Sequence, residues 1–444
     1  AIIPVMNPDG LDIALYKNEW QRKNARPIDE DGDNLTDEDS PEDTNGDGLI
    51  SYYLIYEKGK GYTEAWEGID NDGDGRSGED WIGGVDLNRN YPYAWGTVPG
   101  HEDMASQVYH GPEPASEPEV KALMEYMTPL RPLVALSLHS GTEAILYPWG
   151  YWNYMACFED YLYMSMLENA SDVTKWRAFP ANGLYPASGV WDDWVYGELH
   201  CLAMTAEIYV NKEWPKINTT TSDSTVTYEY YGIKWMFNPD PATEKSRFNS
   251  VLAKTLALVK ILGLYEVSMI QDQTEPILIL PDRLTDYLEN DTYTYDSAVI
   301  PIEFIYKDYE SGISNVKAYV TSGGINIAEV QGYIPLYYNG WLININTSTL
   351  NTGTYNITIE VTNRANISFV GRLFSLNKLE NGTVIIDWDL DNDHLADIFE
   401  ILNGADPDNA DTDGDGIIDG EEFKEGGWKD VLTKRSQHFN YMWI

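Results

Sequence analysis

Basic residues are scarce in this 444-residue chain: 29 Lys and Arg stand against 72 Asp and Glu, for a formal net charge of -43. A molecule of that sign repels phosphate backbones and anionic headgroups. Nonspecific nucleic-acid or membrane-surface binding is therefore excluded as its main role. Cysteine is scarcer still. Cys157 and Cys201 are the only two, too few for a disulfide framework, and they either pair once or stand as buried thiols. Unbroken apolar runs of about eighteen residues are missing, so no segment qualifies as a membrane-spanning helix. A charged, apolar leader is also missing; Ala1-Ile-Ile-Pro-Val-Met6 reads instead as a buried strand. With 43% hydrophobic and 23% charged residues wholesale disorder is ruled out, and the length suggests about three domains.

The acidity is concentrated in three places. Residues 29–47 hold ten Asp or Glu, 70–80 hold five and 387–422 hold fourteen, with Arg76 the one base among them. Packing like charge that densely is destabilising unless cations neutralise it. Asp411-Thr-Asp-Gly-Asp-Gly-Ile-Ile-Asp-Gly-Glu-Glu422 fits a twelve-position calcium loop, with Asp411, Asp413, Asp415, Asp419 and Glu422 at the ligand positions and Gly416 at the turn. Asp389, Asp391, Asp393, Asp397 and Glu400 repeat the pattern, with His394 where glycine is expected. Earlier in the chain, Asp29/Asp31/Asp33/Asp37, Asp43/Asn45/Asp47 and Asp70/Asp72/Asp74 show the same alternate spacing without a closing Glu. Several calcium ions are expected, as staples that bind the folded state and not the open chain. The tandem repeats at 379–426 resemble thrombospondin type-3 or dockerin-like calcium repeats.

Residues 1–266 mix apolar strands with helical patterns, as an α/β domain does, and enclose an acidic insertion at 27–85. Leu133–Leu138 reads as a strand. Ser116, with Glu119 as capping partner, opens a helix through Met127, and Glu244–Leu264 reads as a closing helix. Residues 211–240 are expected to form a surface insertion. Short alternating runs over 267–378 suggest an all-β, immunoglobulin-like sandwich. The segment 427–444 is an aromatic tail. Eight Asn-x-Ser/Thr sequons, at Asn34, Asn169, Asn218, Asn290, Asn346, Asn356, Asn366 and Asn381, together with calcium loops, point to a secreted, extracellular glycoprotein.

Four segments of the first domain carry polar residues that structure alone would not demand. Asn7-Pro-Asp-Gly10 makes a turn. Asp86-Leu-Asn-Arg-Asn90 sets Asn88 beside Arg89, a donor-rich pair suited to a carboxylate. His139 stands at the end of an apolar strand, where α/β folds place ligands. Thr205-Ala-Glu-Ile-Tyr209 buries Glu207, where desolvation raises its pKa toward that of a base. Taken singly, each has an ordinary structural explanation.

Together these segments resemble the zinc carboxypeptidase family, of which carboxypeptidases A and B are members. Trp20-Gln-Arg-Lys-Asn24, Leu146-Tyr-Pro-Trp-Gly150, Tyr185-Pro-Ala-Ser-Gly189 and Asp193-Trp194 extend the match over 1 to about 266. The extra Gln21 departs from the family's Trp-Arg-Lys arrangement. The resemblance implies an α/β mixed-sheet, carboxypeptidase-like fold. It also implies zinc on His139, Glu207 as the base for a zinc-bound water, and Arg22 at the scissile carbonyl. Asn88 and Arg89 would hold a peptide's terminal carboxylate, Tyr185 would close over it, and Asp192 would select basic C-terminal side chains.

The family's His-x-x-Glu zinc pair belongs upstream of Asn-Pro-Asp-Gly, and only six residues precede Asn7 here. His110-Gly-Pro-Glu113 is rejected as a substitute because Pro112 rules out a ligand-bearing helix. The domain is thus expected to be incomplete at its N-terminus, lacking two of three zinc ligands. Its partners would be peptide C-termini if it is active. The alternative is a catalytically incomplete calcium-loaded subunit of an extracellular filament or surface layer, self-assembling through an open sheet edge and the C-terminal tail.

Overall fold

A computed structural model of the chain describes residues 1–17, 21–29, 34–37, 40–46, 50–57, 61–71, 73, 83–153, 155–211, 216–218, 225–230, 239–279, 292–295, 298–426 and 431–432. Chain contacts divide it into two units, Ala1–Glu266 and Val267–Ile444.

In the first unit a short helix, α1 (Pro8–Asp12), is capped by the Asn7 side chain, which accepts from the Gly10 N–H. Residues 1–6 before it are irregular and almost wholly exposed. The expected buried strand does not form, since no strand among the described residues pairs with them. Strands β1 (Ile50–Glu57) and β2 (Gly61–Trp66) follow within the acidic insertion. Helix α2 spans Pro118–Leu130 and has no side-chain cap at its start. Ser116 was expected to provide one. Pro118 favours the first helical turn and sets the start later, while the Ser116 hydroxyl binds Asn90 and Glu117 instead.

Next come β3 (Val134–His139), β4 (Glu143–Tyr147), α3 (Asp160–Thr174), β5 (Arg177–Pro180), α4 (Trp191–Leu199) and β6 (Leu202–Ile208). The four strands form a mixed sheet in the order β3-β6-β4-β5. β6 is the strand of this sheet buried on both faces, from Leu202 to Glu207. β3 runs parallel to it, and the register pairs His139 with Glu207.

Residues 211–240 contribute β7 (Lys216–Asn218) and β8 (Thr225–Tyr230). They join β1 and β2 in an antiparallel sheet, β2-β1-β8-β7, so the two insertions share one element. Helix α5 runs from Lys245 to Ile270, beyond the expected end at Leu264. Cys157 and Cys201 are buried thiols that are not joined in a disulfide. No helix among the described residues is long and apolar enough to cross a membrane.

The second unit is built of two antiparallel sheets. Three strands, β9 (Ile277–Ile279), β11 (Val299–Lys307) and β14 (Trp341–Asn346), lie in the order β14-β11-β9. The other six are β10 (Thr292–Tyr295), β12 (Ile313–Ser322), β13 (Ile325–Gln331), β15 (Gly353–Asn363), β16 (Ser368–Lys378) and β17 (Val384–Asp387), in the order β10-β17-β16-β15-β12-β13. Alternation buries one face of three of these strands: Val316, Ala318 and Val320 on β12, Ile357, Ile359 and Val361 on β15, Trp341, Ile343 and Ile345 on β14. The sheet runs past the expected boundary at 378, because β17 pairs with both β10 and β16. β17 then leads into the acidic segment, which carries two short helices, α6 (Asp397–Asn403) and α7 (Asp419–Gly426).

Candidate active site

One cleft in the first unit is lined by Arg22, Asn88, Arg89, His139, Tyr185, Asp192 and Glu207 among others. Every residue that the sequence suggested for the reaction or its substrate meets there. Their separation along the chain is closed by the sheet, since β3 and β6 bring His139 and Glu207 side by side at their ends. Ligand sites form at the C-terminal ends of parallel strands for this reason.

Asn88 and Arg89 sit on a single 3-10 turn, Leu87–Arg89, capped by Asp86, whose Oδ1 accepts from the Asn88 N–H at 3.0 Å. The Asn88 Oδ1 accepts from the Trp191 N–H at 2.8 Å, which fixes the amide and leaves its NH2 for a ligand. The Arg89 guanidinium is 2% exposed. Its Nη1 donates to the Asn88 carbonyl at 2.7 Å and its Nη2 to the Tyr185 hydroxyl at 3.4 Å, while the guanidinium carbon lies 5.8 Å from that ring's centroid. Gly189 makes the turn possible. At φ +66° it approaches Arg89 so closely that a Cβ would lie 2.1 Å from the Arg89 carbonyl oxygen.

Asp86 is the member that the sequence reading passed over. Buried at 4% side-chain exposure, it takes the Arg22 Nε at 2.6 Å on Oδ2, with Arg89 Nη1 at 4.0 Å from the same oxygen. Burial raises its pKa, but the two arginines outweigh burial and hold the carboxyl below its usual range. Burial likewise lowers the Arg22 pKa, and the charges of Asp86, Tyr185 and Glu207 more than reverse that. Asp86 thus keeps two cations together in one cleft. The available signal was its place in Asp-Leu-Asn-Arg-Asn, one residue before the turn it caps. The extra Gln21 is accommodated in the interior, donating to the carbonyls of Asn24 and Gly83 at 2.6 and 3.1 Å, so Arg22 still reaches the cleft.

Burial raises the Glu207 carboxyl to about 7 against the opposing pull of Arg22. Its Oε2 is buried with no hydrogen-bond partner. Burial, with Arg22 second, lowers His139 to about 4, which leaves a neutral imidazole at neutral pH. Asp192 is raised to about 6 by burial. Its neighbour Asp193 has a different task, accepting the N–H groups of Gly150 and Tyr151 at 2.8 and 3.0 Å to shape the cleft wall. Behind that wall Trp149 stacks on Tyr93 at 5.2 Å and meets Tyr196 edge-on at 5.0 Å.

The family profile described as zinc carboxypeptidase matches residues 1–229. This chain belongs to the zinc carboxypeptidase family. Carboxypeptidase A5 of Macaca fascicularis is 33% identical over 120 residues, which are 26% of this chain and 28% of that protein. Carboxypeptidase B of Astacus astacus is 32% identical over 127 residues, 26% of this chain and 41% of that protein. A solved structure of thrombin-activatable fibrinolysis inhibitor overlaps 41% of this chain and 44% of its own, at 23% identity and a TM-score of 0.32. The chain spans less than half the length of each of these relatives.

Zinc is expected of the family, but the donors present do not complete a site for it. A catalytic zinc takes about three protein ligands, and His139 is the one histidine among the described residues that lines the cleft. His110 and Glu113 do not substitute. The carbonyls of both accept from the Asn90 amide at 2.8 and 3.0 Å, and the His110 Nδ1 lies 2.7 Å from the Gly111 carbonyl oxygen. That segment is scaffold for the Asn-Arg turn.

Of the expected calcium ligands, Asp389, Asp391 and Asp393 bring carboxylate oxygens within 4.8 Å of one another, as do Asp411, Asp413 and Asp415. Glu422 is buried, with one oxygen unpartnered. Asp397 differs from expectation. Its Oδ1 accepts the Leu390 N–H at 2.9 Å and its Oδ2 takes Arg372 Nε at 2.5 Å, so both oxygens are already engaged. In the first unit Asp29, Asp37, Asp43 and Asp70 accept backbone N–H groups from Asn34, Gly83, Gly46 and Gly73, and the Asn45 N–H donates to Glu67. Asp411 makes contacts of the same kind, accepting the N–H groups of Gly414 and Gly416. Asp31, Asp33, Asp47, Asp72 and Asp74, like the aromatic tail apart from Val431 and Leu432, lie outside the described residues.

Proposed function

We propose that the first unit binds the free C-terminus of a peptide and, once a His-x-x-Glu pair joins His139, serves hydrolysis of the last peptide bond. The convergence of Arg22, Asn88, Arg89, His139 and Glu207 on one cleft carries this reading. A terminal carboxylate is met by the Arg89 guanidinium and the Asn88 amide, a bidentate arrangement in a desolvated site. Arg22 stands where charge develops on a carbonyl oxygen. Glu207, poised near neutrality, accepts a proton from water. Asp192 gives the cleft a negative charge for a basic C-terminal side chain. Calcium ions staple the acidic loops, the second unit is an immunoglobulin-like spacer followed by calcium repeats, and the protein works in a calcium-rich extracellular setting.

Zinc analysis and hydrolysis of a blocked dipeptide test this reading. Stoichiometric zinc, with activity lost in Glu207→Gln, supports it. Equal binding of a peptide acid and its C-terminal amide overturns it.

One observation favours a structural role as an alternative. β3 is an edge strand among the described residues, with Leu138 half exposed, and an open edge invites strand addition between copies. Zinc-free protein that forms regular assemblies dissolving in chelator would support that role.

A further inference from the structure

The two calcium loops of the second unit were each expected to close on themselves, with Glu400 completing the first and Asp419 belonging to the second. The fold combines them differently. Carboxylate oxygens of Asp393, Glu400 and Asp419 lie within 4.8 Å of one another, and all three residues are 0% exposed. Asp393 Oδ2, both Glu400 carboxylate oxygens and Asp419 Oδ2 have no hydrogen-bond partner. Carboxylate oxygens buried without donors are costly, and a cation is what offsets that cost.

The ninth residue of each loop shows what is needed. Asp397 and Asp419 both use Oδ1 to accept the N–H of their loop's second residue, Leu390 at 2.9 Å and Thr412 at 2.7 Å. Their other oxygens differ. Asp397 Oδ2 is neutralised by Arg372, whereas Asp419 Oδ2 has no hydrogen-bond partner, and Asp419 brings a carboxylate oxygen within 4.8 Å of the acidic Asp393 and Glu400. The loops are also pressed together there, since a Cβ on Gly420 would lie 2.1 Å from the Asp393 carbonyl oxygen. That contact requires glycine next to Asp419.

We propose that Asp393, Glu400 and Asp419 form a divalent-cation site of their own, one ion joining the two loops. It rests on the calcium reading above and changes which residues share an ion. A set made only of carboxylate oxygens selects a hard cation, calcium in an extracellular setting. Neither loop completes this site alone, so the ion fastens the second loop to the first.

Full-length protein stripped with EGTA and titrated with calcium tests this, with bound ions counted by native mass spectrometry. Asp419→Asn retains the Thr412 cap and removes the charge. One ion should be lost relative to wild type, the same ion lost in Glu400→Gln, so the double variant loses no more than either. Asp413→Asn should lose a different ion, and its loss should add to that of Asp419→Asn. If Asp419→Asn and Asp413→Asn remove one shared ion while Glu400→Gln removes another, each loop closes on itself and the proposal is wrong. Wild-type protein that binds no calcium overturns the calcium reading as well. Where a variant does not fold, anomalous diffraction from wild-type crystals grown with calcium decides. A peak among the three carboxylates supports the site, and ions confined to the other two acidic trios overturn it.

Discussion

Chelation should reverse the pH dependence of the second unit's stability. Without an ion, burial and neighbouring carboxylates raise Asp391, Asp393 and Glu422 to about 7, Asp397 to about 6 and Glu400 to about 10. Unfolded, such groups titrate near 4. Their folded pKa values lie above the unfolded ones, so their stability is present below about pH 4 and lost as pH rises through the folded values, about 6 to 7 for four of them and about 10 for Glu400. For Asp393 alone, a rise of about three units corresponds to roughly 4 kcal/mol; the neighbours shift one another, so such values do not add. Calcium reverses the dependence, because protons then compete with the ion. One site at 100 to 1,000 times its Kd adds about 2.7–4.1 kcal/mol, and at about 2–4 °C per kcal/mol that is roughly 5–15 °C of melting temperature. Differential scanning calorimetry in EGTA and in excess calcium, between pH 4.5 and 7.5, reads both effects. The EGTA curve should show melting that falls with pH, the calcium curve melting that rises. Identical curves at pH 7.5 would refute the reasoning.

The cleft supports further expectations. Arg89→Ala should weaken binding of a peptide acid by about 1.5–3 kcal/mol, the range for a hydrogen bond to a charged group, with the C-terminal amide unaffected in calorimetric titration. Asp86→Asn removes the charge that holds Arg22 and Arg89 together, so both melting temperature and peptide-acid affinity should fall; affinity equal to wild type would show that the arginines hold their own positions. In zinc-loaded, active protein Glu207→Gln should lower kcat by about 10²–10⁴, the range for a general base, with peptide affinity retained. Peptides ending in Lys or Arg should bind better than those ending in Phe, and Asp192→Asn should abolish the difference; equal affinity in wild type would count against Asp192 as the selecting group.

What the sequence alone determined is the local chemistry. The alternation of β12 and β15, the buried run of β6 and the acid spacing at 389–393 and 411–415 are written residue by residue, because period and ligand spacing are local properties of the chain. The ordered motifs named the cleft residues for the same reason. The assembly of those pieces was decided only by tertiary structure. Asp86 looked like one more acid until the fold brought Arg22, 64 residues away in the chain, onto it beside the neighbouring Arg89. Ser116 had the signature of a helix cap, but Asn90 and Glu117 claimed its hydroxyl. Residues 211–240 looked like a surface insertion with no partner until β8 paired with β1. Asp419 counted toward its own loop by spacing, yet it lies with Asp393 and Glu400. In each case at least one deciding partner (Arg22 for Asp86, Asn90 for Ser116, β1 for β8, Asp393 for Asp419) comes from another segment of the chain, and the electrostatic cost of burial, which selects partners for charged groups, exists only once the chain has closed around them.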